Sequence, residues 1–140
     1  MQIHSTAIVH PHAKLADDVV IGPFCLVGEH VTIGRGSKLL SHVSVDGWTD
    51  IGERNELHPF VSVGGPPQHL HYKGEPTKVI IGHDNILREY VTVNRATVEG
   101  GGVTSIGSGE GVATFPKDVL IGGVAPPGTA RVGISDAGGR

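Results

Sequence analysis

Aliphatic residues return at every sixth position from Val9 to Val63 without a miss: Val9, Leu15, Ile21, Val27, Ile33, Leu39, Val45, Ile51, Leu57 and Val63. An α-helix repeats about every 3.6 residues and a strand every two, so neither has this spacing. A fixed longer repeat is the mark of a solenoid, in which each repeat is one small structural unit. Here each hexapeptide makes a short strand and a corner. Two residues before each aliphatic position stand Ala7, Ala13, Val19, Cys25, Val31, Ser37, Val43, Thr49, Asn55 and Val61, all small or medium. Positions i and i+2 share a strand face, so both point into the coil. Glycine follows the aliphatic residue at 22, 28, 34, 52 and 64, where a corner needs backbone angles that β-branched residues resist. Three hexapeptides close one triangular coil, and coils stack into a prism. The expected class is all-β, a parallel β-helix.

Composition fits a narrow core. Of 140 residues, 4% are aromatic and 22 are glycine, too few large side chains for an ordinary globular interior. Net charge is −3 with a pI near 6.3, which predicts no general affinity for nucleic acid or anionic membrane. Cys25 is the one cysteine, so an internal disulfide is excluded and a reducing, cytoplasmic location is expected. Cys25 falls in a small-residue slot and reads as core. Residues 1–18 lack a basic stretch followed by an apolar one, so no secretory signal is expected there. The apolar stretch at 19–28 holds Gly22 and Pro23 and is too short to cross a bilayer, so no membrane insertion is expected.

The repeat pauses at 64–78 and resumes at Ile81, Leu87 and Val93, with Val79, Asn85 and Val91 in the small slots. From Val63 to Ile81 is 18 residues, one coil's worth, so the segment is expected to leave and rejoin in phase. Its Gly64-Gly65-Pro66-Pro67 start, with Gly74 and Pro76 later, reads as a loop thrown out from a corner. A second pause at 99–103 contains three glycines, and Ile106 gives one further match. Beyond it the pattern fails, with Glu110 and Asp118 in interior slots. The chain is thus expected to form a β-helix over 1–110 and an atypical Gly, Pro and Ala-rich tail over 111–140, the composition of a truncated or frameshifted gene.

Three signatures are more specific than the hexapeptides: Ile21-Gly22-Pro23-Phe24; the run from Gln68 through His69, Leu70, His71, Tyr72, Lys73, Gly74, Glu75 and Pro76 to Thr77; and the run from Leu87 through Arg88, Glu89, Tyr90, Val91, Thr92, Val93, Asn94, Arg95 and Ala96 to Thr97, followed by Gly100-Gly101-Gly102. With these the chain, to about residue 107, resembles the bacterial UDP-N-acetylglucosamine acyltransferase family of lipid A biosynthesis. The resemblance implies left-handed winding, against the usual right-handed crossover. It implies a homotrimer with clefts between prisms, and transfer of a 3-hydroxyacyl group from acyl carrier protein to the 3-hydroxyl of UDP-N-acetylglucosamine, with no cofactor. An alcohol attacking a thioester needs a general base, which the family supplies from a His-x-x-His-Asp segment. This sequence has no histidine after His83, so no catalytic residue is assigned.

For substrate contact the loop offers Gln68, His69 and His71. The family usually has an acidic residue where His69 stands and a lysine where His71 stands; histidines would donate hydrogen bonds without a permanent charge. Asn94 and Arg95 stand where the family places a pair near the cleft, either as ligand contacts or as a structural corner. Lys73, Lys78, Arg88 and Arg95 are candidates for a positive region facing a diphosphate or acidic acyl carrier protein. Two rival readings share the solenoid. One is a carbonic anhydrase-like metalloenzyme using His69 and His71, although two ligands are too few for a zinc site and no metal is assigned. The other is a non-catalytic solenoid that binds nucleotide-sugar. The remaining histidines, His4, His10, His12, His30, His42, His58 and His83, read as corner or outward positions.

Overall fold

A computed structural model describes residues 1–109. The compositional break expected at 111–140 lies outside the described residues. Fifteen short strands, β1 to β15 in chain order, wind into a three-walled prism. The first wall is β1 (Gln2–Ile3), β4 (Val20–Ile21), β7 (Lys38–Leu39), β10 (Glu56–Leu57) and β13 (Ile86–Leu87). The second is β2 (Ile8–Val9), β5 (Leu26–Val27), β8 (Ser44–Val45), β11 (Ser62–Val63) and β14 (Thr92–Val93). The third is β3 (Lys14–Leu15), β6 (Val31–Ile33), β9 (Trp48–Ile51), β12 (Lys78–Ile81) and β15 (Val103–Ile106). Every pairing is parallel, and regular partners stand 18 residues apart, as in Val9 with Val27 and Ile33 with Ile51. No helix among the described residues is long and apolar enough to cross a membrane.

The hexapeptide reading holds residue by residue. From Val19 to Val93 every aliphatic and every small position of the repeat is buried, Cys25 included, as is Ile106, while Thr104 is half-buried. Ala7, Val9, Ala13 and Leu15 of the first coil are only half-covered, since no coil lies beneath them. Three of the polar small slots, Ser37, Asn55 and Asn85, form a buried column. Ser37 Oγ donates to Gly52 O at 2.9 Å and accepts the Asn55 backbone N–H at 3.1 Å. Asn55 Nδ2 donates to Gly82 O at 2.7 Å, and its Oδ1 accepts the Asn85 N–H at 3.0 Å. Asn85 Nδ2 reaches Gly107 O at 2.7 Å. Each side chain satisfies corner groups that the strands leave unpaired, which is why an amide is tolerated inside an aliphatic core.

The corner between the first and second walls stacks rings instead. Phe24, His42, Phe60 and Tyr90 occupy equivalent positions, all with left-handed backbone, φ 58°, 51°, 70° and 67°. Their rings form a continuous pile, with centroids 5.1, 5.0 and 5.3 Å apart. A bulky residue at positive φ costs about 1–2 kcal/mol, and each ring contact returns ~0.5–1.5 kcal/mol. The corner between the third and first walls carries Arg54 and Asp84, also at positive φ. Arg54 Nε and Nη2 donate to Asp84 Oδ1 and Oδ2 at 2.7 and 3.1 Å, and this fork holds the Asp84 carboxyl below its ordinary range.

The structure corrects the phase arithmetic of the loop. Val63 lies on the second wall and Ile81 on the third, a step that takes six residues from Val45 to Ile51 and 18 from Val63 to Ile81. The chain therefore advances by one wall, not one coil, and the excursion inserts 12 residues into that step. Val93 to Ile106 makes the same step in 13 residues, an insertion of seven. Both excursions leave from one corner, in adjacent coils.

Two outcomes follow from the corners. Phe60→Ala keeps the left-handed backbone and loses both ring contacts, whereas Phe60→Gly relieves the backbone. The glycine variant should be the more stable of the two by about 1 kcal/mol in denaturant melts, and the reverse order would show that the left-handed backbone at this corner carries no strain. The Arg54–Asp84 pair depresses a carboxylate, so its contribution is present above the unfolded Asp value of about 3.9 and lost as pH falls through the lower folded value. Asp84→Asn should melt below the wild type at neutral pH, with the gap closing under acid conditions below about pH 4.

Candidate functional site

The corner between the second and third walls is where the chain departs from the prism, and Arg95 sits at its centre. Its residue exposure is 9%. The Arg95 backbone N–H donates to Gly65 O at 2.8 Å, Nη1 donates to Gly64 O at 2.6 Å, and Nη2 donates to Tyr72 Oη at 2.5 Å. The guanidinium carbon lies 5.3 Å from the Trp48 ring centroid and 5.6 Å from that of Tyr72, within reach of both π systems. The other neighbour of Trp48 is His30, stacked at 5.0 Å and 7°. Arg95 enters no ion pair among the described residues, and its Nε is buried without a hydrogen-bond partner. Thr77 Oγ1, among the described residues the other buried side-chain polar atom without a partner, lies where the first excursion rejoins the prism.

Glycine makes room for this arrangement. A Cβ at Gly47, φ 63°, would fall 2.3 Å from Arg95 Nη1 and 2.6 Å from Gly64 O. At Gly64, φ 88°, it would fall 1.9 Å from Asp46 O. Neither position accepts a side chain without moving the corner.

Gln68, His69 and His71 stand on the outer turn of the loop and are exposed. The two imidazoles are neighbours, with centroids 5.6 Å apart, and the His71 backbone N–H donates to His69 Nδ1 at 3.2 Å. In that bond Nδ1 is the acceptor, which leaves Nε2 facing outward from the turn. Leu70 between them is 99% exposed. The loop closes on itself: Tyr72 N–H donates to His69 O at 3.1 Å, Tyr72 Oη to Glu75 O at 2.6 Å, and Lys73 N–H to Glu75 Oε1 at 3.0 Å. The last of these holds the Glu75 carboxyl below its ordinary range.

The proposed positive region does not assemble. Arg95 is buried, and Arg88 lies at the aromatic corner with its Nε 3.1 Å from Glu89 Oε1. Only Lys73 and Lys78 remain exposed on or beside the loop. Between a ligand contact and a structural corner, Arg95 takes the structural role, and Asn94 abuts the loop root, its Oδ1 3.3 Å from where a Gly65 Cβ would stand. Among the described residues no group of three or more His, Cys, Asp or Glu is placed to hold a metal ion, and none of them joins His69 and His71 as a third ligand. The sequence held a faint signal for Arg95: the lone tryptophan directly after Gly47, one coil below the loop.

No protein-family model matches the chain. Curated relatives do. The chain is 48% identical over 114 residues to the acyl-[acyl-carrier-protein]–UDP-N-acetylglucosamine O-acyltransferase of Thermodesulfovibrio yellowstonii, covering 81% of this chain and 44% of the relative. It is 56% identical over 106 residues to the protein of that name from Saccharophagus degradans, covering 76% and 41%. Among solved structures, LpxA from Acinetobacter baumannii superposes with a TM-score of 0.75 at 52% identity, over 77% of this chain and 42% of that one. The chain belongs to the UDP-N-acetylglucosamine O-acyltransferase family. It corresponds to an N-terminal portion, and spans less than half the length of the curated relatives it matches. The prism is the left-handed β-helix that the resemblance implied.

Because Gln68, His69 and His71 project away from the prism, they carry little of the acyltransferase-like fold. The double substitution His69→Ala/His71→Ala should leave stability within ~0.5 kcal/mol of the wild type in denaturant melts. A larger loss would give the histidines a structural role in the loop.

Proposed function

We propose that this chain binds the nucleotide-sugar acceptor, UDP-N-acetylglucosamine, through the 64–78 loop, as the acceptor half of a 3-hydroxyacyl transfer from acyl carrier protein. The observation that carries the reading is the loop itself: a polar, hydrogen-bonding turn of Gln68, His69 and His71, presented outward from a rigid three-walled scaffold. Binding residues concentrate on such loops because the scaffold beneath them holds their position. The names of the relatives give the chemistry. The reaction needs a base to take the proton from the sugar 3-hydroxyl as its oxygen attacks the thioester carbonyl, and donors for the oxyanion that forms. The sequence supplies no histidine beyond His83, so turnover calls for a base from another source.

The partners that go with this reading are acyl carrier protein and two further copies of the chain, in the cytoplasm. Ile8 and Leu26, adjacent on the outer face of the second wall, are 67% and 41% exposed, and Phe24, Phe60 and Tyr90 flank them on the neighbouring corner. Contiguous exposed apolar groups of this kind favour association.

Calorimetry with UDP-N-acetylglucosamine and UDP-glucose tests the assignment, beside an assay of acyl transfer from acyl carrier protein. Saturable binding of the first ligand, weaker binding of the second, and no turnover are the expected results. Absence of binding to either nucleotide-sugar would remove the reading. Sedimentation should give a trimer, and a monodisperse monomer would remove the assembly.

A further inference from the structure

The two excursions leave from the same corner in adjacent coils, and Arg95 is the residue that joins them. It begins the second excursion, and three of its N–H groups end on the first: one on Gly65 O, one on Gly64 O and one on Tyr72 Oη. Among the described residues, the Arg95–Tyr72 bond is the one hydrogen bond that ties residues 66–76 to the prism. Every other hydrogen bond of that segment stays within it or its immediate ends.

From Tyr72 the constraint passes onward in both directions. Its hydroxyl, having accepted from Arg95, donates to Glu75 O, and its backbone N–H holds His69 O. The ring also lies over the guanidinium. Fixing Tyr72 therefore fixes the turn that carries Gln68, His69 and His71. We propose that Arg95 and Tyr72 form a clamp that sets the pose of the substrate loop, making both of them positioning residues. The clamp's second half rests on the reading of that loop as the nucleotide-sugar contact.

The residue type is dictated by geometry. One side chain must donate to both a carbonyl and a phenol while its charge stays within reach of two rings. A guanidinium serves the two acceptors from two nitrogens held apart in one plane, whereas an ammonium has a single nitrogen for both. Arg95 also spends no donor on an acidic partner among the described residues, so its hydrogen-bonding fork is committed to the loop. Gly47 leaves the space that the Arg95 side chain fills.

The test compares the full chain with Tyr72→Phe, which keeps the ring and removes the hydroxyl, and with Arg95→Lys, which keeps the charge and removes the fork. Lys73 is exposed beside the clamp and gives trypsin a site inside the loop. Loss of a charge-assisted bond should speed cleavage after Lys73 about tenfold, read by mass spectrometry. The melting temperature of Tyr72→Phe should stay put, because the prism's own ladder is untouched. Affinity for UDP-N-acetylglucosamine should fall by a similar factor in both variants. Wild-type cleavage of a folded Tyr72→Phe chain would overturn the clamp, and so would a drop in melting temperature that accounts for the faster cleavage. A loosened loop that still binds the nucleotide-sugar as tightly as the wild type would overturn the positioning role. If the wild type itself binds no nucleotide-sugar, the loop's substrate assignment falls, while the cleavage rates still decide the clamp.

Discussion

Coil-to-coil hydrogen bonding sets everything else in this molecule. The Leu26 N–H donates to Val43 O at 2.8 Å, and the Ser44 N–H to Val61 O at 3.0 Å one coil further on. Because the ladder is parallel and in register, a residue always lies above its own equivalent in the coil below. Columns of like residues are the result. Aliphatic side chains fill the centre, amides line one inner edge, rings climb one corner, and an arginine meets an aspartate at another. None of these columns has an energetic meaning in one coil alone; each gains its partner only by stacking.

The same ladder explains why the chain departs from the prism where it does. An excursion must return to a strand position that still pairs with its neighbour. Gly64 N–H donates to Val93 O at 2.7 Å at the departure, and Lys78 N–H to Gly102 O at 2.9 Å at the return. The two excursions thus close against each other, the root of one supplying hydrogen bonds to the root of the other. Arg95 extends that mutual support from the roots out to the body of the loop.

Much of the prism was legible in the sequence, since a six-residue period leaves little choice of fold and Val19 through Ile106 occupy the interior as the repeat demands. The loop's position was legible too, from its glycines and prolines. Its length was not: 18 residues happens to equal a full coil, and only the wall assignments of Val63 and Ile81 separate the two accounts. Asn55 and Asn85 read merely as medium-sized, because their value lies in carbonyls that stand 27 and 22 residues away. Arg95 was ambiguous for a related reason. Its partners Gly64 and Tyr72 are 31 and 23 residues distant, beyond any local pattern. The loop histidines stand exposed on the loop, and the contact proposed for them draws on the family and not on any contact with the scaffold.

Keeping both excursions on one edge has a bearing on how such a scaffold diversifies. The entropy of closing a loop grows slowly, by about 0.6 kcal/mol for each doubling of its length, so chain can be added or removed along that edge at little thermodynamic penalty. Among the described residues the other two edges run unbroken and carry the rings and charges that hold successive turns in line. A spiral built this way separates the part that must repeat from the part that is at liberty to vary, and new ligand preferences can arise by lengthening one margin while the remaining architecture is inherited unchanged.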